Sequence, residues 1–583
     1  MCYGVDSLGG RNYETYSGGP LVLGLLAAAY VSGRQGEGIV ATPKHFVANV
    51  AEDERTRRRS SYNKVNQEYV SDSKRLIDEV LRKEWGFKGL VMSDWMGIYS
   101  TARGLETGQD LEMPGPTKWR SVGEVKEQIR TGAVTEETIN TSARRVLELA
   151  RRLGLWDNPE EPPERCVEDP ATNALIRDAG AEGITLLRNE GGVLPIPKTA
   201  TVAIIGQHAT SVVLSGGGSA RVDAQHAITL VDGLQKLAGD QAQPESFYFY
   251  KRQLERRFTH EMTAGRRYSV RMDSWAADRA ILDAPPLNGK MFQGSAVRFY
   301  EHIDLAARLR EASEAAAACD YAVVCTGTIN EIESEGFDQT DMDVTAAEYD
   351  MVDAVLAAKP DRSAVVNFSG APVGMAQFTD RSPAIVQAKV EDNPVYDNFP
   401  SHNNILRYEE ALNVGYRYYD RADVAAKPLF PFGYGLSYTT FAVLGAAITQ
   451  QRVLFAAADA NIGITVTARV QNTGGRAGKV AVQFYVADCN SGDAAIGGGG
   501  GGGGGHARPP KELRAFEKVA LEAGEVRDVV LTLDRDCVSF YDAARMCWEA
   551  RPGVYKVLVG LSSVDITHSV DFTVDKGFTW TGV

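Results

Sequence analysis

The spacing of apolar residues along the chain changes character twice. From residue 437 onward they recur at every second position: Ile464, Val466, Ala468 and Val470; Val480, Val482, Phe484 and Val486; Val529, Leu531 and Leu533; Val557 and Val559. Successive side chains of a strand point to opposite faces, so this period predicts strands with one buried face. Several such runs separated by turn residues predict a β-sandwich over 437–583. The glycine run 497–505 interrupts that pattern as a flexible loop without a packing role.

Before residue 437 the rhythm is that of alternating β/α units. Residues 1–156 hold strand candidates at 38–42 and 89–92. Between them lies a helical stretch, 73–85, with Leu76, Ile77, Val80 and Leu81 on one face. A polar, proline-containing segment then breaks the pattern, and 157–185 is expected to be a linker. A second series follows over 186–242 and 300–436, with strands at 202–205, 321–325, 364–367 and 384–387 and a helix at 305–318. Thr345 and Glu348 have capping-box spacing, so 331–344 reads as a strand-to-helix loop, the kind that binds ligands in α/β folds. Residues 243–299, basic and aromatic, interrupt the series as an insert. The predicted fold class is therefore α/β multidomain: a partial (β/α) barrel, an α/β sandwich and a C-terminal β-sandwich.

Composition narrows the function. The formal charge of -14 argues against nucleic acid or an anionic membrane surface as partner and suits a neutral substrate. Basic clusters at 55–59 and 252–257 read as solvated or locally paired. The seven cysteines include no C-x-x-C pair and no histidine cluster at ligand spacing, so neither a disulfide framework nor a metal site is indicated. The longest apolar stretch, 21–31, is short of the roughly 20 residues of a membrane helix. No signal peptide opens the chain, which makes a cytoplasmic protein the default expectation and a secreted one the alternative if the N-terminus is truncated. Asn140 and Asn367 head formal glycosylation sequons. Nothing in the pattern fixes an oligomeric state.

Candidate chemistry sits at strand ends. Strand 89–92 runs into Ser93, Asp94 and Trp95, placing a carboxylate beside an aromatic ring; alone, such an Asp is more often a helix cap or turn residue. The loop 331–338 carries Glu331, Glu333, Glu335 and Asp338, which by itself reads as a solvated acidic loop or a cation site. Lys44 and His45 follow strand 38–42, and Arg11 and Tyr62 are further hydroxyl-binding candidates. Gly216 to Gly218 are weak evidence for phosphate binding, since no P-loop lysine follows.

The ordered set of these stretches resembles glycoside hydrolase family 3, the β-glucosidase family. The resemblance rests on Gly10-Arg-Asn-Tyr-Glu-Thr-Tyr16, Lys44-His-Phe-Val-Ala-Asn49, Tyr62-Asn-Lys-Val-Asn66, the run from Glu84 to Trp95, and Asp110-Leu-Glu-Met-Pro114. It continues through Glu333-Ser-Glu-Gly-Phe-Asp338, Val414 to Asp420, Pro431 to Tyr438 and Pro509-Pro-Lys-Glu-Leu513. It implies Asp94 as nucleophile, Glu335 as general acid/base, and Arg11, Lys44, His45, Tyr62 and Trp95 as sugar ligands, with no cofactor or metal. It implies a fibronectin type III-like C-terminal domain, and likens the insert to the end of a carbohydrate-binding module of the anthrax-protective-antigen type. The activity implied is removal of terminal non-reducing β-glucosyl residues from β-glucosides or short β-glucans, as in cellulose degradation, by double displacement. Xylose or arabinose as the sugar, or an inactive sugar-binding remnant, are the alternatives.

The departures are equally specific. Residues 1–156 fall well short of the roughly 250 of a complete barrel. The family's opening Asp-bearing motif has no counterpart before Gly9, and gaps fall between Arg55 and Ser61 and near 389–391. Gly18-Gly19 stands in place of an acidic pair, and Gln67 in place of a glycine. An open barrel with exposed strand edges is expected.

Overall fold

The computed structural model describes residues 8–52, 64–160, 163, 167–211, 213, 216, 218–220, 222, 224, 226–236, 261–263, 265–269, 304–387, 412–455, 462–490 and 508–582. Most of the insert, the glycine run, Tyr62 and the gap near 389–391 lie outside the described residues.

The first region is lightly packed. A short hairpin joins β1 (Lys64–Val65) to β2 (Glu68–Tyr69), and β3 (Met92–Trp95) pairs in parallel with β4 (Leu111–Met113). No strand forms at 38–42, contrary to the sequence expectation. A strand exists only where a neighbour takes its hydrogen bonds, and Ile39 and Val40 remain exposed with no sheet to bury them. The strand expected at 89–92 begins later, at Met92, because the Val91 amide donates to the Asp110 side chain instead of a ladder. The helix expected over 73–85 is present at Lys74–Glu84, capped by Ser73, but wound as a π-helix.

Polar bonding does much of the work of a core here. Among the described residues of this region, the buried apolar side chains are Leu8, Ile77, Ile98, Leu105 and Val134. The fully buried Asp110 side chain instead gathers Arg82 at 2.7 Å, Arg145 at 2.8 Å and the Ser142 hydroxyl at 3.0 Å. That ties the π-helix, β3 and the helix Glu136–Arg152 together. Glu112 accepts the amides of Lys118, Trp119 and Arg120 and so fixes the loop after β4. The helix Pro20–Gly36 has Pro20 at its first turn yet contains no buried residue.

The second region is a five-stranded sheet. β5 (Thr185–Asn189), β6 (Val202–Ile205), β7 (Tyr321–Gly327), β8 (Ser363–Phe368) and β9 (Ala384–Gln387) lie in the order β5-β9-β8-β7-β6, parallel except for β5. The helices Leu305–Ala318 and Ala346–Ala358 stand where the sequence places them, and both bonds of the Thr345–Glu348 capping box form. Ala316, Val352 and Val355 pack with Val324 and Val365, and none of the five has exposed surface. Asn367 is buried and bound to Gln387, so its sequon is closed within the sheet, while Asn140 is exposed. The segment expected as a linker contains the helix Pro170–Gly183, started by Asp169 and Pro170.

The third region is the two-layered β structure that the alternation predicts. β10 (Phe441–Ile448), β12 (Ile464–Asn472) and β15 (Val526–Leu533) form one sheet. The other holds β11 (Arg452–Val453), β13 (Gly478–Asp488), β14 (Glu512–Leu521), β16 (Gly553–Gly560) and β17 (Ile566–Val574). Ile464, Val466, Ala468 and Val470 face Val482, Phe484, Val557 and Val559 in the core between them. Lys479 and Lys518 both grip Glu182, at the end of the helix Pro170–Gly183. No helix among the described residues is long and apolar enough to cross a membrane.

Candidate active site

One wall of the site belongs to the first region. β3 delivers Asp94, whose Oδ1 accepts the Trp95 amide at 2.7 Å and whose Oδ2 lies 3.1 Å from His45 Nε2. Asn49 Nδ2 is 2.8 Å from His45 Nδ1. An amide nitrogen donates, so Nδ1 accepts and the ring proton sits on Nε2. The Asp94 side chain keeps 30% of its surface, and the Trp95 ring beside it is exposed.

The other wall is the loop after β7, where the acidic residues divide by their partners. Glu333 accepts the Thr328 hydroxyl and the Gly370 amide, and Asp338 accepts the amides of Gly10 and Glu52. These bonds serve the loop's shape. Glu335, 4% exposed, accepts the Ser219 amide at 2.6 Å through Oε2, and its Oε1 lies 3.4 Å from Arg11 Nη1. Gly218 makes that approach possible: at φ +89°, a β-carbon there would fall 2.5 Å from Glu335 Cβ.

Arg11 and one short segment join the two walls. Arg11 holds Glu14 through Nε at 3.0 Å and Nη2 at 2.8 Å, while Nη1 also lies 3.7 Å from Glu52. Burial works against the guanidinium's charge, but Glu14, Glu52 and Glu335 outweigh it and raise its pKa above the ordinary value. Burial, then the charge of Glu14, pushes the Tyr13 phenol up as well. Glu52 accepts the Gly336 amide at 2.8 Å. Residues 45–52 thus carry both the partner of Asp94 and a partner of the residue next to Glu335.

Of the residues singled out from sequence, Asp94 with His45, and Glu335 with Arg11, are brought into contact. Trp95 borders Asp94, Lys44 is exposed beside His45 without an ion pair among the described residues, and Tyr62 lies outside them. Sequence reasoning missed Glu14, Asn49, Glu52 and Ser219. The nearest available signal was Glu52, seven positions after His45; nothing local marks Ser219.

The pattern described as the glycosyl hydrolase family 3 N-terminal domain matches residues 58–149, and that of the family 3 C-terminal domain matches 184–438, together more than half of the chain. The chain belongs to glycosyl hydrolase family 3. A fibronectin type III-like domain matches residues 480–563, within the third region. Among family 3 relatives, "Probable beta-glucosidase H" of Aspergillus clavatus is 29% identical, covering 99% of this chain and 87% of its own. That alignment runs over 745 positions, longer than the chain's 583 residues, so the relative carries segments facing gaps here. The β-glucosidase of Kluyveromyces marxianus in complex with glucose superposes with a TM-score of 0.81 at 26% identity, covering 100% of this chain and 88% of that one. The family 3 β-glucosidase of Bifidobacterium adolescentis gives 0.77 at 25% identity, covering 99% and 82%.

Proposed function

We propose that this family 3 chain is a retaining exo-β-glucosidase, with Asp94 as nucleophile and Glu335 as general acid/base. The observation that carries this reading is the segment 45–52, which sets His45 3.1 Å from Asp94 at one end and Glu52 on the amide of Gly336, next to Glu335, at the other. Asp94 Oδ2 lies 3.1 Å from His45 Nε2, and buried Glu335 lies beside Arg11. The names of the relatives and the glucose bound in the Kluyveromyces enzyme favour glucose as the sugar.

In the first step an Asp94 oxygen attacks the anomeric carbon. The glycosidic C–O bond breaks, and the Glu335 proton passes to the leaving oxygen. In the second, the Glu335 carboxylate takes a proton from water as that water's oxygen attacks the anomeric carbon and releases Asp94. The nucleophile itself reaches the sugar, so the carboxyl groups work at about 5–5.5 Å across it. Trp95 offers a ring face to the sugar's apolar side, and Arg11 and Lys44 offer donors to its hydroxyls.

Hydrolysis of an aryl β-glucoside tests the assignment: Asp94→Ala is expected to lower kcat by at least about 10^3-fold. Equal rates for both proteins defeat it. The thin first region, with only two parallel strands among its described residues, favours a second reading, a sugar-binding chain without turnover. Glucose would then raise Tm while no aglycone is released, whereas turnover abolished by Glu335→Gln excludes that reading.

A further inference from the structure

Three carboxylates converge on the single guanidinium of Arg11, and they do not share it equally. Glu14 takes two nitrogens, at 3.0 and 2.8 Å. Glu335 and Glu52 face only Nη1, at 3.4 and 3.7 Å, longer than the 2.7–2.9 Å of a strong charged bond. A guanidinium is a rigid planar fork, so the edge given to Glu14 is not available to Glu335. We propose that Glu14 is a positioning residue that keeps Glu335 able to hold a proton, by occupying the part of Arg11 that would otherwise fix Glu335 as its anion. This rests on the reading of Glu335 as proton donor.

The surroundings of Glu335 give the sign. Arg11 Nη1 and the Ser219 amide lie against it, the Tyr13 phenol feels its charge, and Glu14 and Glu52 share the same guanidinium. Arg11 and the Ser219 amide favour the anion, whereas Glu14 and Glu52, held on the same guanidinium, favour the protonated form. Replacing Glu14 by Gln takes away one negative charge and frees the Arg11 fork, and both changes lower the proton affinity of Glu335. A glutamine oxygen still accepts from the guanidinium, so the turn keeps a bond.

The test uses the full chain in two measurements. In the pH profile of kcat/KM on an aryl β-glucoside, the alkaline limb reports loss of the donor's proton, and Glu14→Gln is expected to move it down by about one pH unit, leaving the acid limb in place. Infrared titration of the carboxylic C=O band that disappears in Glu335→Gln reads the same proton without turnover. That band is expected to shift alike. Glu14→Asp, whose shorter reach loosens the fork, moves both in the same direction by less, and serves if Glu14→Gln does not fold. A band and an alkaline limb that stay put in either folded variant overturn the proposal. A band that moves in a chain showing no turnover sustains the proposal and refutes the glucosidase reading instead.

Discussion

The C-terminal sandwich and the first region solve the same problem with opposite means. In the sandwich, Ile464, Val466, Ala468, Val470, Val482 and Phe484 are wholly buried, and two sheets hold each other through them. In the first region Leu25, Leu26, Tyr30, Ile39, Val40 and Trp85 stay exposed, and the residue entering β3, the π-helix and the helix Glu136–Arg152 meet on the buried carboxylate of Asp110. Apolar burial is non-directional and spreads over many side chains, whereas a buried charge relies on a few exact partners. Among the described residues, the nucleophile candidate therefore stands on a region with far fewer buried apolar side chains than the sandwich.

Three substitutions sharpen or break that contrast. Phe484→Ala should cost about 3–5 kcal/mol in urea unfolding followed by a probe in the sandwich, since it leaves a cavity between two sheets. Asp110→Asn keeps the shape but removes the charge that faces Arg82 and Arg145. It should cost roughly 2–3 kcal/mol, seen as faster hydrogen exchange in β3 and the helix Glu136–Arg152 while the sandwich is unchanged. A uniform loss throughout the chain would mean that the regions unfold as one and the contrast is false. Leu25→Ser, on a helix with no buried residue, should change stability by less than about 0.5 kcal/mol. A larger loss would mean that the helix face is covered in solution.

The same contrast explains what was legible in the sequence. Period-two alternation marks the sandwich most clearly in β12, which buries Ile464, Val466, Ala468 and Val470 on one face, and the capping box at Thr345 marks its helix because both bonds are local. Asp94 and Glu335 were readable only through the ordered motifs around them. Residues 38–42 misled, because an apolar run declares that it wants burial and not whether a neighbouring strand is present. Glu52 and Ser219 were invisible for another reason: their partners Gly336 and Glu335 are 284 and 116 positions away, and no local spacing records such a bond.

Gly218 carries a consequence for variation at the site. A single methyl group grafted onto this backbone position would collide with Glu335. Under the proposed function, alanine at 218 is thus a minimal off-switch: it alters no ionisable group, yet it displaces the proposed proton donor. Any descendant that retains the acid in this pose has to retain the smallest residue opposite it.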